Sequence, residues 1–357
     1  MKILLITDLY PVDEFDINTP LTLYAFVKEW VKLGHDVKII RPNFILNSFV
    51  RNKKFYKSGW YGNLFNVNYF FPYWFNIKNK LRDYYDIGFE PDVIISHMPS
   101  GTIFANKLGV DFSACIHSSD IQVLTNPLYS FYFKYQLENS LKSANKLFCR
   151  SYALKNKLKS LNYDFIDDVY LALSGVGENF IVDNRKNIDT STLKICTCAN
   201  LIKRKNVDKL ISAVKDFSNV QLTVIGDGKE FSKLKKMSDK IIFTGRLTHD
   251  DVLKVMKEND IFILPSVNET FGMVYLEAMS SGCIPVCTEN DGIDGIIKNN
   301  FNGFTVMPTV ASIRNLIQHI INSDTELLNY IRKNALDTVK QYTIEKCAKD
   351  YLELLIK

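Results

Sequence analysis

The 357 residues suggest roughly two domains, and 46% hydrophobic with 23% charged residues is an ordinary globular composition. A net charge of +5 is modest for this length, so no nucleic-acid partner is expected. The opening run MKILLIT is broken by Asp8 before it reaches signal-peptide length, and no stretch approaches the roughly 20 apolar residues of a spanning helix.

The chain therefore reads as cytoplasmic, with its seven cysteines reduced and mostly buried. Cys196-Thr-Cys198 and Cys283…Cys287 lack the paired CxxC spacing of a zinc site, and no metal ligand set is expected.

KILLIT (2–7) reads as a buried strand, followed by a loop through Tyr10–Pro20. Leu23, Phe26, Val27, Trp30, Val31 and Leu33 then recur at helical spacing, and the helix ends at Gly34. DVKIIRP (36–42) is the next strand. From Arg41 to Arg82 there are eight Lys or Arg, no Asp or Glu, and thirteen aromatic residues. Such a segment suits a surface resting on anionic lipid, with aromatics in the interface; packing of the aromatics into a core is the other reading.

Further strands are read at PDVIISH (91–97), FSACIH (112–117) and KLFCRS (146–151), alternating with helical text. Polar NRKNIDTST (184–192) is a natural linker. After it, LKICTCA (193–199), QLTVIGDG (221–228), KIIFTG (240–245), DIFILPS (260–266) and CIPVCTE (283–289) repeat the alternation. Strands alternating with helices predict parallel, doubly wound sheets, hence two Rossmann-like halves whose strand ends face each other across a cleft. The expected domains are 1–183 together with a terminal helix at 343–357, and 184–342. No GxGxxG occurs, and Gly226-Asp227-Gly228 reads as a tight strand-to-helix turn, so a dinucleotide enzyme is disfavoured.

SVNETFGMVYLEAMSSGCIPV (266–286) carries two glutamates, Glu269 and Glu277, eight positions apart. Pro265-Ser266 ends a buried strand, and Gly272 opens a helix with Val274, Leu276, Ala278 and Met279 packing inward. A helix N-terminus offers free amides and a positive dipole end to an anion, and Gly272 allows close approach. Glu277, one turn on, could accept hydrogen bonds from two vicinal hydroxyls such as those of a ribose, while Glu269 lies on the other side of the anion. Carboxylates bracketing an anion site suit a nucleotide sugar.

The same stretch resembles the E-x7-E signature of retaining glycosyltransferases of family 4, which have the GT-B fold of two Rossmann-like domains. GHDVKIIRP (34–42), PDVIISH, HSSD (117–120), SANKLFCRSYALKNKL (143–158), ANLIKRKNVDKLISAV (199–214), VIGDG and FTGRL (243–247) follow the family's motifs in order over nearly the whole chain. The resemblance implies that Glu277 holds the donor's ribose. It implies that Glu269, Phe271, Gly272 and Met273 meet the transferred sugar and diphosphate, and that Lys205 neutralises the diphosphate. His117 would hydrogen-bond the donor sugar or phosphate, with His97 and Asp120 as weaker candidates. His35, His249 and His319 look like surface or turn residues. The implied donor is a UDP-sugar, the acceptor a glycan or lipid-linked glycan of cell-surface polysaccharide biosynthesis reached at the inner face of the membrane, and no cofactor is implied.

Two departures stand out. The family's arginine five residues before the lysine is replaced by Asn200, so Arg204 or Lys203 substitutes, or diphosphate binding is weaker. The Gly-Gly loop after the first strand, which in the resembling family borders the acceptor and the diphosphate, is replaced by DEFDINTP (13–20). No D-x-D occurs, so the metal-dependent route of the other large glycosyltransferase class lacks its ligands. At the C-terminus, Thr343 can cap a helix with Ile344, Cys347, Ala348, Tyr351, Leu352 and Leu355 in one stripe, which in the resembling fold crosses back onto the N-terminal domain. The competing readings are an inactive nucleotide-sugar-binding subunit and an epimerase of the same fold.

Overall fold

The computed structural model describes residues 1–11, 22–41, 60–64, 67–70, 89–127, 131–166, 168–182 and 187–357. The 13–20 loop and, apart from Arg41 and the backbones of two strands, the basic aromatic segment lie outside these residues. The chain forms two compact units: residues 1–150, 154–173 and 344–357 in the first, and 151–153 with 174–343 in the second.

The first unit holds β1 (Lys2–Ile6), β2 (Asp36–Ile40), β3 (Trp60–Leu64), β4 (Val67–Phe70), β5 (Val93–His97), β6 (Ser113–Ile116), β7 (Lys146–Cys149) and β8 (Val169–Leu171), in sheet order β3-β4-β2-β1-β5-β6-β7-β8. Ile3, Leu5 and Ile6 are fully buried, as expected where helices cover both faces of a parallel sheet. Leu5 lies beside Ile39 on one side and Ile95 on the other. One pairing departs from the expected parallel sheet: β3 runs antiparallel to β4. Only two residues separate these strands, and a parallel return needs a crossover of a dozen or more.

Helix Thr22–Lys32 turns Leu23, Phe26, Val27 and Trp30 inward. The terminal helix Ile344–Ile356 belongs to this unit and buries Cys347, Ala348, Tyr351, Leu352 and Leu355, the expected stripe except for half-buried Ile344. Trp30 Nε1 donates to the carbonyl of Ala348 at 2.9 Å, and Tyr351 packs its ring 6.3 Å from Phe26 and 6.0 Å from Trp30.

The second unit holds β9 (Leu193–Cys198), β10 (Val220–Ile225), β11 (Ile242–Gly245), β12 (Ile261–Ile263), β13 (Ile284–Thr288) and β14 (Phe304–Val306), all parallel, in order β11-β10-β9-β12-β13-β14. The connection reverses direction between β9 and β12, where Ile195 sits beside Leu222 on one flank and Ile261 on the other. Such a switch point opens a crevice at the carboxyl ends of the strands, the usual ligand position in an open α/β sheet. Gly226, after β10, has φ +123, and a Cβ there would lie 2.0 Å from the carbonyl oxygen of Ala199 after β9. Glycine is the residue that lets these two strand ends close up.

Among the described residues, no helix is long and apolar enough to cross a membrane. All seven cysteines are free thiols, six buried and Cys198 half-buried.

Candidate functional site

The switch point of the second unit gathers the residues singled out by the E-x7-E stretch. After β9 the chain passes through a short 3-10 turn at Lys203–Lys205, and Asn206 follows in the left-handed conformation with φ 52. Asn206 Nδ2 donates to the carbonyl of Pro265 at 2.8 Å, and the amide of Val267 donates to the carbonyl of Arg204 at 2.9 Å. These bonds tie the basic turn to the loop after β12.

Lys205 Nζ and Arg204 Nη1 both reach Oε1 of Glu269, each at 2.5 Å. The Lys205 and Glu269 side chains are only 12% and 13% exposed, against 42% for Arg204, so the lysine pair is the better shielded of the two. Burial opposes the charge on Glu269, but Lys205 and Arg204 outweigh it and hold the carboxyl below its ordinary pKa. The carboxylate of Asp291 accepts from the amides of Asn268 at 2.5 Å and Glu269 at 2.7 Å, fixing the loop that carries Glu269.

Gly272 caps the following helix, Met273–Ser280, with φ 92, and a Cβ at this position would lie 2.7 Å from the Tyr275 ring. Tyr275 is buried and donates to the carbonyl of Leu264 at 2.5 Å, pinning the helix start to the end of β12. The buried side of this helix is Tyr275, Leu276, Ala278 and Met279; Val274, expected to point inward, is half-buried, because Tyr275 takes the place beneath the cap. Phe271 is buried, leaving only its backbone for a ligand, while Gly272 and Met273 are half-buried. In the first turn the Tyr275 amide donates back to the Gly272 carbonyl at 3.1 Å, and the amides of Met273 and Val274 stand at the open end of the helix.

Glu277, on the next turn, places Oε1 3.3 Å from Nε2 of His249. The Cys198 thiol, at the end of β9, feels both Glu277 and Lys205. Burial, with Glu277 adding to it, pushes that thiol up to about 12, so it stays protonated. Asn200 is exposed, with its side-chain oxygen 2.6 Å from where a Cβ on Gly228 would stand. The guanidinium at Glu269 comes from Arg204, not from the Asn200 position. One wall thus carries two cations, the carboxylates of Glu269, Glu277 and Asp291, and a helix N-terminus.

Three residues of this wall were not marked by their pattern. His249 was expected to be a surface or turn residue, and its ring is indeed half-exposed, yet it meets Glu277. Asp291 and Cys198 lie 22 and 71 positions from Glu269, distances at which no helical or strand period operates.

His117, His97 and Asp120 lie in the first unit. His97 ends β5, and His117 follows β6 as the cap of helix Ser118–Thr125. His97 Nδ1 and His117 Nε2 are 2.9 Å apart, and the hydroxyl of Tyr351 on the terminal helix lies 3.2 Å from His97 Nε2. Burial, reinforced by Arg150, holds the His117 ring down to about 3, and His97 is likewise pushed well below its ordinary value by burial and then by His117. Both rings are neutral. Asp120 Oδ2 accepts from the amide of His117 at 2.8 Å, and burial raises its carboxyl to about 8.

His97, Cys115 and His117 could offer three metal-ligating atoms within 4.8 Å of one another. Their chemistry opposes it: the facing ring nitrogens are spent on each other, Arg150 already disfavours positive charge there, and burial pushes the Cys115 thiol up to about 12. The cluster reads as a buried hydrogen-bond chain joining the terminal helix to two strand ends. Replacing Tyr351→Phe should leave His97 Nε2 without its partner and lower stability by about 1–3 kcal/mol in urea unfolding. An unchanged midpoint and slope would remove Tyr351 from that chain. His35 Nδ1 lies 3.2 Å from the amino terminus, and His319 is exposed beside Phe304.

Comparison with known proteins fits this wall. Residues 180–338 match the family described as Glycosyl transferases group 1. An uncharacterised glycosyltransferase of Methanocaldococcus jannaschii is 28% identical over 72% of this chain and 72% of its own length. A lipopolysaccharide core biosynthesis glycosyltransferase of Rhizobium meliloti is 26% identical over 58% of this chain and 63% of its own length. Among solved structures, Anabaena HepE in complex with UDP and glucose superposes with a TM-score of 0.72 at 17% identity, covering 100% of this chain and 99% of that one. The chain has the GT-B fold, and over residues 180–338 it is similar to glycosyl transferases group 1.

Proposed function

We propose that the chain transfers a sugar, with retention at the anomeric carbon and without a metal ion, from a nucleoside diphosphate sugar to a glycan or lipid-linked glycan acceptor. The observation that carries this reading is the arrangement of Lys205, Arg204 and the Met273 helix start between Glu269 and Glu277 at the switch point of the second unit. A diphosphate entering here meets two cations and the positive end of a helix. Glu277 is then placed for the ribose hydroxyls, with Glu269, Gly272 and Met273 toward the sugar.

In the reaction, the bond between the anomeric carbon and the diphosphate oxygen breaks as the acceptor hydroxyl adds to that carbon. The hydroxyl's proton leaves with the departing diphosphate. Charge builds on the leaving oxygen, and a fixed cation there stabilises the transition state more than the ground state. Lys205 is the shielded cation and takes that role; Arg204 stands where the Asn200 position supplies no charge. UDP is the expected nucleotide, on the strength of the UDP-bound neighbour and the motif resemblance.

Activity should survive EDTA, because the sequence has no D-x-D and the positive charge for the diphosphate comes from Lys205, Arg204 and a helix end. Transfer assayed with and without chelator checks this; complete loss restored by added divalent metal would overturn the metal-free reading. An inactive nucleotide-sugar-binding subunit would bind the same donors and release no nucleoside diphosphate.

A further inference from the structure

His249 has no part in the resemblance and none in the reading above. Its helix, His249–Lys257, is capped by Thr248, whose side chain accepts from the amide of Asp251, so the first residue of the helix is held at the end of the loop after β11. The ring packs edge-on to Phe180 with centroids 5.1 Å apart and an interplanar angle of 70°. Its Nε2 lies 3.3 Å from Oε1 of Glu277. The Thr248 cap and the Phe180 contact restrict the ring that meets the carboxylate.

We propose that His249 is a positioning residue for the donor: it holds one carboxylate oxygen of Glu277 and leaves the other to the vicinal hydroxyls of the ribose. The inference rests on the proposed ribose role of Glu277. A glutamate side chain has three rotatable bonds, and fixing its carboxylate before the ligand arrives removes part of the ordering cost of binding. The charged groups acting on His249 are Glu277 from the neighbouring helix and Asp250 from its own. The hydrogen bond to Glu277 raises the ring's pKa, burial works against it, and the two acids add to the rise. Cys198, the other titratable group against Glu277, keeps its proton.

The sign follows from the direction. A protonated ring binds the carboxylate more firmly, so the contribution of His249 to donor affinity is complete below the ordinary histidine value. It fades as pH climbs through the raised value.

The test uses the full chain and calorimetric titration with UDP-, GDP- and ADP-glucose, whose diphosphates are esterified at both ends and do not titrate near neutrality. The best binder is then measured between pH 5.5 and 8.5 against wild type, His249→Ala, His249→Gln and Glu277→Ala. His249→Ala should weaken binding about tenfold at pH 6, the scale of one charge-assisted hydrogen bond, and flatten the pH dependence. His249→Gln, which can still donate, should keep most of the affinity and lose the pH dependence. Glu277→Ala should weaken binding at every pH.

If Glu277→Ala weakens binding while His249→Ala follows the wild-type curve, the positioning role is overturned and the ribose reading stands. If Glu277→Ala binds as wild type, or no donor of the panel binds, the ribose reading falls and this inference with it.

Discussion

Lys205→Ala should lower turnover on the order of a hundredfold while changing donor affinity much less. Its ammonium is shielded and 2.5 Å from Glu269, and in the proposed reaction it neutralises the diphosphate as the sugar–oxygen bond breaks. Its removal leaves Glu269 with Arg204 alone, a more exposed and more screened partner. The loss therefore falls mainly on the step in which charge develops, and kcat should carry it rather than KM. Glu277→Ala should behave oppositely, weakening donor binding by roughly ten- to hundredfold for one lost charge-assisted contact. Steady-state kinetics on both variants, with donor affinity measured separately, reads the difference. Equal losses in affinity for the two variants, with turnover untouched in Lys205→Ala, would contradict the division of labour.

The second large effect is structural. Gly226→Ala should destabilise the second unit, since the new methyl group would sit 2.0 Å from the Ala199 carbonyl oxygen at φ +123. Backbone strain at such an angle costs about 1–3 kcal/mol, and the forced separation of two packed strand ends adds a similar amount. Because the displaced atom is backbone, no side chain can swing away to relieve it. Gly34→Ala makes a useful control: Gly34 also has positive φ, 84, but a Cβ there meets nothing within 4 Å. Urea unfolding should show a much larger drop for Gly226→Ala than for Gly34→Ala. Equal drops would mean that backbone angle alone, and not the close approach at the switch point, sets the need for glycine.

Much of the architecture was legible because buried parallel strands read as short apolar runs. KILLIT, PDVIISH, LKICTCA and DIFILPS correspond to β1, β5, β9 and β12. Strand β14 is three residues long and, unlike the equally short β12 inside DIFILPS, lies in no continuous apolar run, and the β3–β4 hairpin lies inside the aromatic segment where apolar residues are nearly continuous. Within the site, Glu269, Gly272 and Glu277 were legible from one local pattern of loop, cap and helix turn. Lys205 entered through motif order alone, and its contact with Glu269 spans 64 positions. His249 was passed over because a histidine in a polar helix start carries no spacing signal; only the folded chain shows it against Glu277. At Asn200 the resemblance exposed the missing arginine and left open whether Arg204 or Lys203 substitutes or diphosphate binding is weaker, and the structure puts the Arg204 guanidinium on Glu269.

The central claim is sugar transfer from a nucleoside diphosphate sugar by the second unit's switch-point wall. It is tested most directly by incubating the full-length protein with UDP-, GDP- and ADP-linked sugars and a glycolipid and glycan extract, and following nucleoside diphosphate release together with product mass. The account predicts release and one added sugar residue with at least one donor, reduced by both Lys205→Ala and Glu277→Ala. Donor binding with neither release nor an added sugar would contradict it and leave a binding subunit in its place.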